Sequence, residues 1–90
     1  MANLIDAGNK NLINVDKIIY AVKLPKNLKE SKISHRIEIA KNEGKLLKVT
    51  HKFKARSAII MENGWVVISP FTAQMIAQKI ERKLEIKCWK

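Results

Sequence analysis

The dipeptide Asn63-Gly64 lies between two runs of strand-forming residues, Ala58-Ile59-Ile60-Met61 and Trp65-Val66-Val67-Ile68. Few features narrow the choice of fold so much. A two-residue type I′ turn needs positive φ at both central positions, and Asn-Gly is the pair that meets that demand at least steric cost. The arrangement predicts a central β-hairpin. Both arms are apolar at successive positions instead of alternating, so both faces of the hairpin are expected to be covered, one by helices and the other by a neighbouring subunit.

The flanking segments supply partners for that hairpin. Asn3-Leu4-Ile5-Asp6 reads as a short apolar element closed by Gly8 and the polar run Asn9-Lys10-Asn11. Leu12, Ile13 and Val15 resume apolar character, and Ile18-Ile19-Tyr20-Ala21-Val22 reads as a strand that Pro25 ends. From Ser31 to Glu43 the period changes to that of a helix, with Ile33, Ile37 and Ala40 on one face, Ser31 or Ser34 as cap, and Gly44 at the C-terminal stop. Leu46-Leu47-Lys48-Val49 is a further strand, followed by the basic loop Thr50-His51-Lys52-Phe53-Lys54. Ser69 and Pro70 match the N-cap and first position of a last helix, whose apolar stripe is Ala73, Ile76, Ala77, Ile80 and Leu84. The expected fold class is α+β: one small domain over residues 1–90, with a mostly antiparallel sheet, two main helices and the central hairpin.

Ninety residues leave no room for a second core. The longest apolar runs are far short of a membrane span, so no membrane partner is expected. The single cysteine, Cys88, fits a reducing cytoplasm, and the start Met-Ala-Asn-Leu-Ile-Asp carries no secretory pattern. An enzyme is not expected either. His35 and His51 fall on different elements, and no phosphate loop, nucleophile elbow or metal-ligand cluster is present, so no cofactor, metal or small-molecule substrate is evident.

Charge is the informative quantity. Eighteen basic residues against eight acidic ones give a net charge of +10, a large field for a small body. It is also patchy. Lys45, Lys48, Lys52, Lys54 and Arg56 form a run without an acidic residue, with His51 inside it, and Lys17, Lys23, Lys26 and Lys29 form another. The helices mix signs as solvated surfaces do. Lysine runs in loops also serve solubility, but two acid-free runs in one domain favour a polyanion partner. Phe53, set between Lys52 and Lys54, could stack on a base, although a lone loop aromatic more often packs against its own domain or a neighbour. Trp65, Trp89 and Met75 read as packing or interface residues.

The order of these motifs resembles the RemA-like bacterial regulators, small DNA-binding proteins that control extracellular-matrix genes. The likeness runs from Leu4-Ile5-Asp6-Ala7-Gly8 through Asn11 to Val22, then Arg36-Ile37 to Gly44, Leu46 to His51, Arg56 to Met61, and Val66 to the helix with Ile76-Ala77. It covers about residues 4–83 and leaves 84–90 as an extension. The resemblance implies a cytoplasmic, nucleoid-associated protein that closes into an octamer-like homo-oligomeric ring and binds duplex DNA. The family's basic signature, Gly-Arg-Arg-x-Arg, falls on Lys52, Phe53, Lys54, Ala55 and Arg56, and the arginine opening its Arg-Ile-Ile element falls on Lys17. Lys17, Lys52, Lys54, Arg56 and His51 are therefore the expected DNA-binding residues. Lysine in place of arginine keeps the charge but loses the bidentate fork, so phosphate contact is retained better than base reading. Further departures are an apparent insertion around Lys26 to Glu30 and the longer C-terminal end. The runner-up is an RNA-binding or ribosome-associated accessory protein that uses the same basic loops.

Overall fold

A computed structural model of the chain describes residues 4–24, 32–51 and 53–88. Its elements run β1 (Leu4–Asp6), β2 (Leu12–Asn14), β3 (Ile18–Lys23), α1 (Lys32–Asn42), β4 (Leu46–Lys48), β5 (Ser57–Met61), β6 (Val66–Ser69) and α2 (Ala73–Cys88). The fold is α+β. β1 and β2 form a small antiparallel ribbon, and the other four strands form one sheet in the order β3-β5-β6-β4. Its pairings are antiparallel except that of β4 with β6.

The hairpin stands at the centre of that sheet, in the register Ser57↔Ser69, Ala58↔Ile68, Ile59↔Val67 and Ile60↔Val66. Its turn is longer than a type I′ turn. Glu62-Asn63-Gly64 make one 3-10 turn, closed where Met61 N–H donates to the Trp65 carbonyl at 2.8 Å. Asn63 (φ +65°) and Gly64 (φ +83°) both take positive φ, so the conformational demand that marks Asn-Gly is met in a three-residue loop.

Both faces of β5 and β6 are buried, and both are covered from within the chain. On one face Ile59 and Val67 pack with Ile76 of α2 and with Ile5, Ala7 and Ile13 of the β1–β2 ribbon. On the other, Ala58, Ile60, Val66 and Ile68 pack against Ala40, Ile33 and Ile37 of α1. The expectation that a neighbouring subunit covers one hairpin face is corrected here. The helices flank the hairpin in sequence on opposite sides, and each takes a face. Ile59, Ile60 and Ile76 are fully buried, each contributing about 1.5–3 kcal/mol by removal from water.

The helix ends follow local chemistry. α1 stops in a Schellman motif: Gly44 at φ +73° lets its N–H bond Lys41 O at 3.2 Å, while Lys45 N–H reaches Ala40 O at 2.7 Å. Ser34 lies inside α1, and Ser31 is outside the described residues. α2 is capped by Thr72, whose hydroxyl accepts the Met75 N–H at 3.1 Å, and not by Ser69. Ser69 is instead the last residue of β6, because its buried hydroxyl is already used in joining the sheet to the ribbon. Ala77 is exposed, so the buried stripe of α2 centres on Ile76 and Ile80. The helix extends to Cys88.

Candidate nucleic-acid interface

One end of the sheet is built by four separate pieces of chain. They are the β1–β2 turn around Gly8, the β4–β5 connection from Val49 to Arg56, the β6–α2 junction from Ser69 to Thr72, and the end of β3 at Lys23. Buried hydroxyls hold them together. Ser69 Oγ donates to the Ala7 carbonyl and accepts the Phe71 N–H at 3.1 Å, while Ser57 Oγ donates to the Phe71 carbonyl at 2.7 Å. Asn9 Nδ2 donates to the Val49 carbonyl, and Asp6 Oδ1 accepts the Gly8 N–H at 2.8 Å. Arg56 is fixed on both sides by main chain, donating to Ser69 O at 2.9 Å and accepting from Leu24 N–H at 3.1 Å.

Gly8 explains why the ribbon can dock so closely. Its φ is +143°, and a Cβ there would stand 2.5 Å from Pro70 Cδ and 3.0 Å from the Val49 carbonyl. Only glycine fits. The turn it opens carries Asn9 (φ +52°) and Lys10 (φ +64°), and the facing loop carries His51 (φ +52°). Three non-glycine residues in left-handed backbone thus meet at one end of the molecule, the kind of stored strain that clusters at binding sites. Two clefts open between them. One, of about 370 Å³, is lined by Asn9, Asn11, Lys48, Val49 and His51; the other, of about 240 Å³, by Asn9, Phe53, Lys54, Arg56, Pro70 and Phe71.

The two ends of the sheet differ in charge. Lys10, Lys23, Lys48, Lys54 and Arg56 are exposed at the loop end, and none makes a salt bridge among the described residues. Among the described residues, Asp6 is a carboxylate at this end that makes no salt bridge, and its Oδ1 accepts the Gly8 N–H. The N-terminus of α2 opens at this end with no acidic residue in its first turn, so its partial positive charge adds to the field. At the hairpin end, by contrast, Lys17 faces Glu62 at 3.6 Å and Lys45 faces Glu43 at 3.7 Å.

This geometry divides the residues expected from the sequence. His51, Lys54 and Arg56 come together at the loop end, and Lys52 lies outside the described residues. Lys17 does not join them. It precedes β3, whose first residue pairs with Met61 and whose last pairs with Ser57, so the length of β3, roughly 20 Å, separates Lys17 from Arg56. Lys10, Lys23 and Lys48 were not singled out as binding residues, although the polar run Asn9-Lys10-Asn11 and the acid-free runs held them. Phe53 is 58% exposed, belongs to neither core cluster, and lines the second cleft with Pro70 and Phe71.

A small α+β domain with one strongly cationic end is the class that fold and surface define. Within that class the chain belongs to the RemA-like family. The family's sequence model, described as extracellular matrix regulatory protein A-like, matches residues 4–80, close to the span the resemblance predicted. Similar chains include one from Fervidobacterium nodosum, 34% identical over 97% of this chain and 90% of its own length. Another, from Thermotoga neapolitana, is 34% identical over 88% of this chain and 82% of its own. A Bacillus cereus chain is 29% identical over 91% and 90%. All three are named as regulatory proteins. Among the described residues, no helix is long and apolar enough to cross a membrane.

Proposed function

We propose that this protein is a regulator that binds duplex DNA through the loop end of its sheet, acting by association and not by catalysis. The observation that carries the reading is the segregation of charge: among the described residues, five cations that make no salt bridge gather at one end, while Lys17 and Lys45 at the other are paired. Lysines and an arginine spread over four segments suit phosphates, which give affinity and register without sequence choice. Membership of the RemA-like family and the regulatory names of its relatives support control of transcription, with extracellular-matrix genes and biofilm formation as its outlet and the nucleoid as its place of action.

One copy of such a site is weak, and assembly multiplies it. The two outer strands of the sheet each expose apolar side chains: Ile19 and Tyr20 on β3, and Leu47 on β4. These are different surfaces at opposite edges. They suit a head-to-tail contact that closes into a ring, as the family resemblance implies, and leave the loop end clear of the subunit contacts.

Salt titration of duplex binding tests the reading. If a ring neutralises about 6–10 phosphates, affinity falls about 10³–10⁵-fold between 50 and 200 mM salt. A flat response refutes phosphate contact. Competition with structured RNA of equal length separates the runner-up, because an A-form target would be held through its 2′-hydroxyls.

A further inference from the structure

The 240 Å³ cleft holds a combination of groups that duplex phosphate binding does not use. Phe53 offers an aromatic ring to solvent, 58% exposed, on a loop held to the core by Val49 and Ala55 on either side of it. Pro70 and Phe71 supply an apolar wall. Phe71 is held in place, because Lys79 Nζ sits 4.1 Å from the centre of its ring and is itself anchored to the Asp6 carbonyl at 3.0 Å. Lys54 and Arg56 line the same cleft and make no salt bridge among the described residues. Asn9 lines it too, and its amide is oriented by donation from Nδ2 to Val49 O, which leaves Oδ1 as its acceptor.

An aromatic face, two cations and one oriented acceptor in a small cleft match the parts of a nucleotide. We propose that this cleft is a nucleotide subsite, in which an unstacked base lies on Phe53 and its phosphate is held by Lys54 and Arg56. Stacking on an aromatic ring tolerates any base. The Asn9 acceptor adds a preference for bases with an exocyclic amino group, such as adenine. A duplex keeps its bases stacked inside and cannot offer one to Phe53, so the ligand is either a free nucleotide or an unpaired nucleotide in a strand. The phosphate half of the subsite rests on the cationic reading above, and the stacking half rests on Phe53.

The experiment uses the intact chain and five probes: AMP, UMP, inorganic phosphate, and the single strands dA6 and dT6, each compared with a duplex of fixed length. AMP is expected to bind about tenfold tighter than inorganic phosphate, the scale of one stacked base. Phe53→Ala should remove that advantage, Phe53→Trp should keep it, and neither should alter duplex affinity more than about twofold, since the ring is exposed and uncharged. Tight binding of dA6 with the same Phe53 dependence but without measurable AMP binding assigns the subsite to a strand. AMP binding that displaces dA6 assigns it to free nucleotide as well. Measurable but equal affinity for AMP and phosphate, or a Phe53→Ala protein unchanged towards both AMP and dA6, overturns the proposal. Duplex binding that persists in that case leaves the DNA reading standing, whereas AMP stacking without duplex binding refutes the DNA reading alone.

Discussion

Replacing Gly8 with alanine isolates the contact on which the loop end is built. At φ +143° the backbone is in a region that L-residues rarely adopt, which costs about 1–3 kcal/mol. The added methyl would also meet Pro70 Cδ at 2.5 Å, Pro70 Cγ at 2.9 Å and the Val49 carbonyl at 3.0 Å. A proline ring and a main-chain carbonyl cannot swing aside as a lysine tip could, so overpacking adds about 1–3 kcal/mol. The sum is about 2–6 kcal/mol. Gly44→Ala is the internal control: its φ is also positive, at +73°, but nothing lies within 4 Å of the new methyl. Only the left-handed penalty of about 1–2 kcal/mol applies there. In a domain of this size each kcal/mol moves Tm by about 4–8 °C. Gly8→Ala should therefore lose roughly 8–48 °C, enough at the upper end to prevent folding, and Gly44→Ala roughly 4–16 °C. Thermal unfolding of both variants at one fixed protein concentration is the assay, because assembly makes Tm concentration-dependent. A Gly8→Ala protein as stable as Gly44→Ala would refute the close docking of the ribbon on Pro70.

Three further outcomes are expected. Ser69→Ala leaves the Ala7 carbonyl and the Phe71 N–H without their buried partner, and should cost about 1–3 kcal/mol in denaturant titration. Lys54→Ala and Arg56→Ala should each weaken duplex binding and lower the slope of log K against log salt by about one, while Lys17→Ala, whose cation already faces Glu62, should change it less. Light scattering should show a mass several times that of one chain, insensitive to salt, and Ile19→Glu should reduce it by placing a charge on the exposed edge of β3.

The parts of the fold legible in the sequence are those whose signal is local. Asn63-Gly64 marks its own turn, and Gly44 marks the end of α1, because positive φ is a property of single residues. The length of the turn was not legible, since Asn-Gly serves two- and three-residue loops alike. The β1–β2 ribbon was read only as apolar fragments: three-residue strands are too short for a period to appear. The parallel pairing of β4 with β6 depends on contacts across the chain and leaves no local trace. Ser69 followed by Pro70 imitates a helix start, and only the tertiary bond to Ala7 shows why the hydroxyl is unavailable. The candidate site was legible by half. Counting charges along the chain set Lys54 and Arg56 in one acid-free run, while the family resemblance grouped Lys17 with them; neither singled out Lys10, which is remote in sequence and brought to the same end by the Gly8 turn.

A four-stranded sheet has two faces, two edges and two ends, and in this chain each pair is used differently. Among the described residues the helices cover the faces of the hairpin strands. Exposed apolar side chains are scattered over the ribbon, the helices and the loops, but the two edge strands carry some of them, Ile19 and Tyr20 on β3 at one edge and Leu47 on β4 at the other. Edge strands with unpaired main-chain groups tend to join, and joining unlike edges adds a subunit without consuming either end of the sheet. The ends are then free to differ, and they do: Glu43 and Glu62 answer the lysines at the hairpin turn, while Lys10, Lys23, Lys48, Lys54 and Arg56 stand together at the other. Assembly through the edges would repeat the cationic end once per subunit. Such a cluster gains affinity for a long polyanion with each repeat but very little for a short one. On the proposed reading, the length of duplex needed for tight binding would be set by the spacing of subunits, and that is the physical reason to expect assembly and duplex binding to depend on each other.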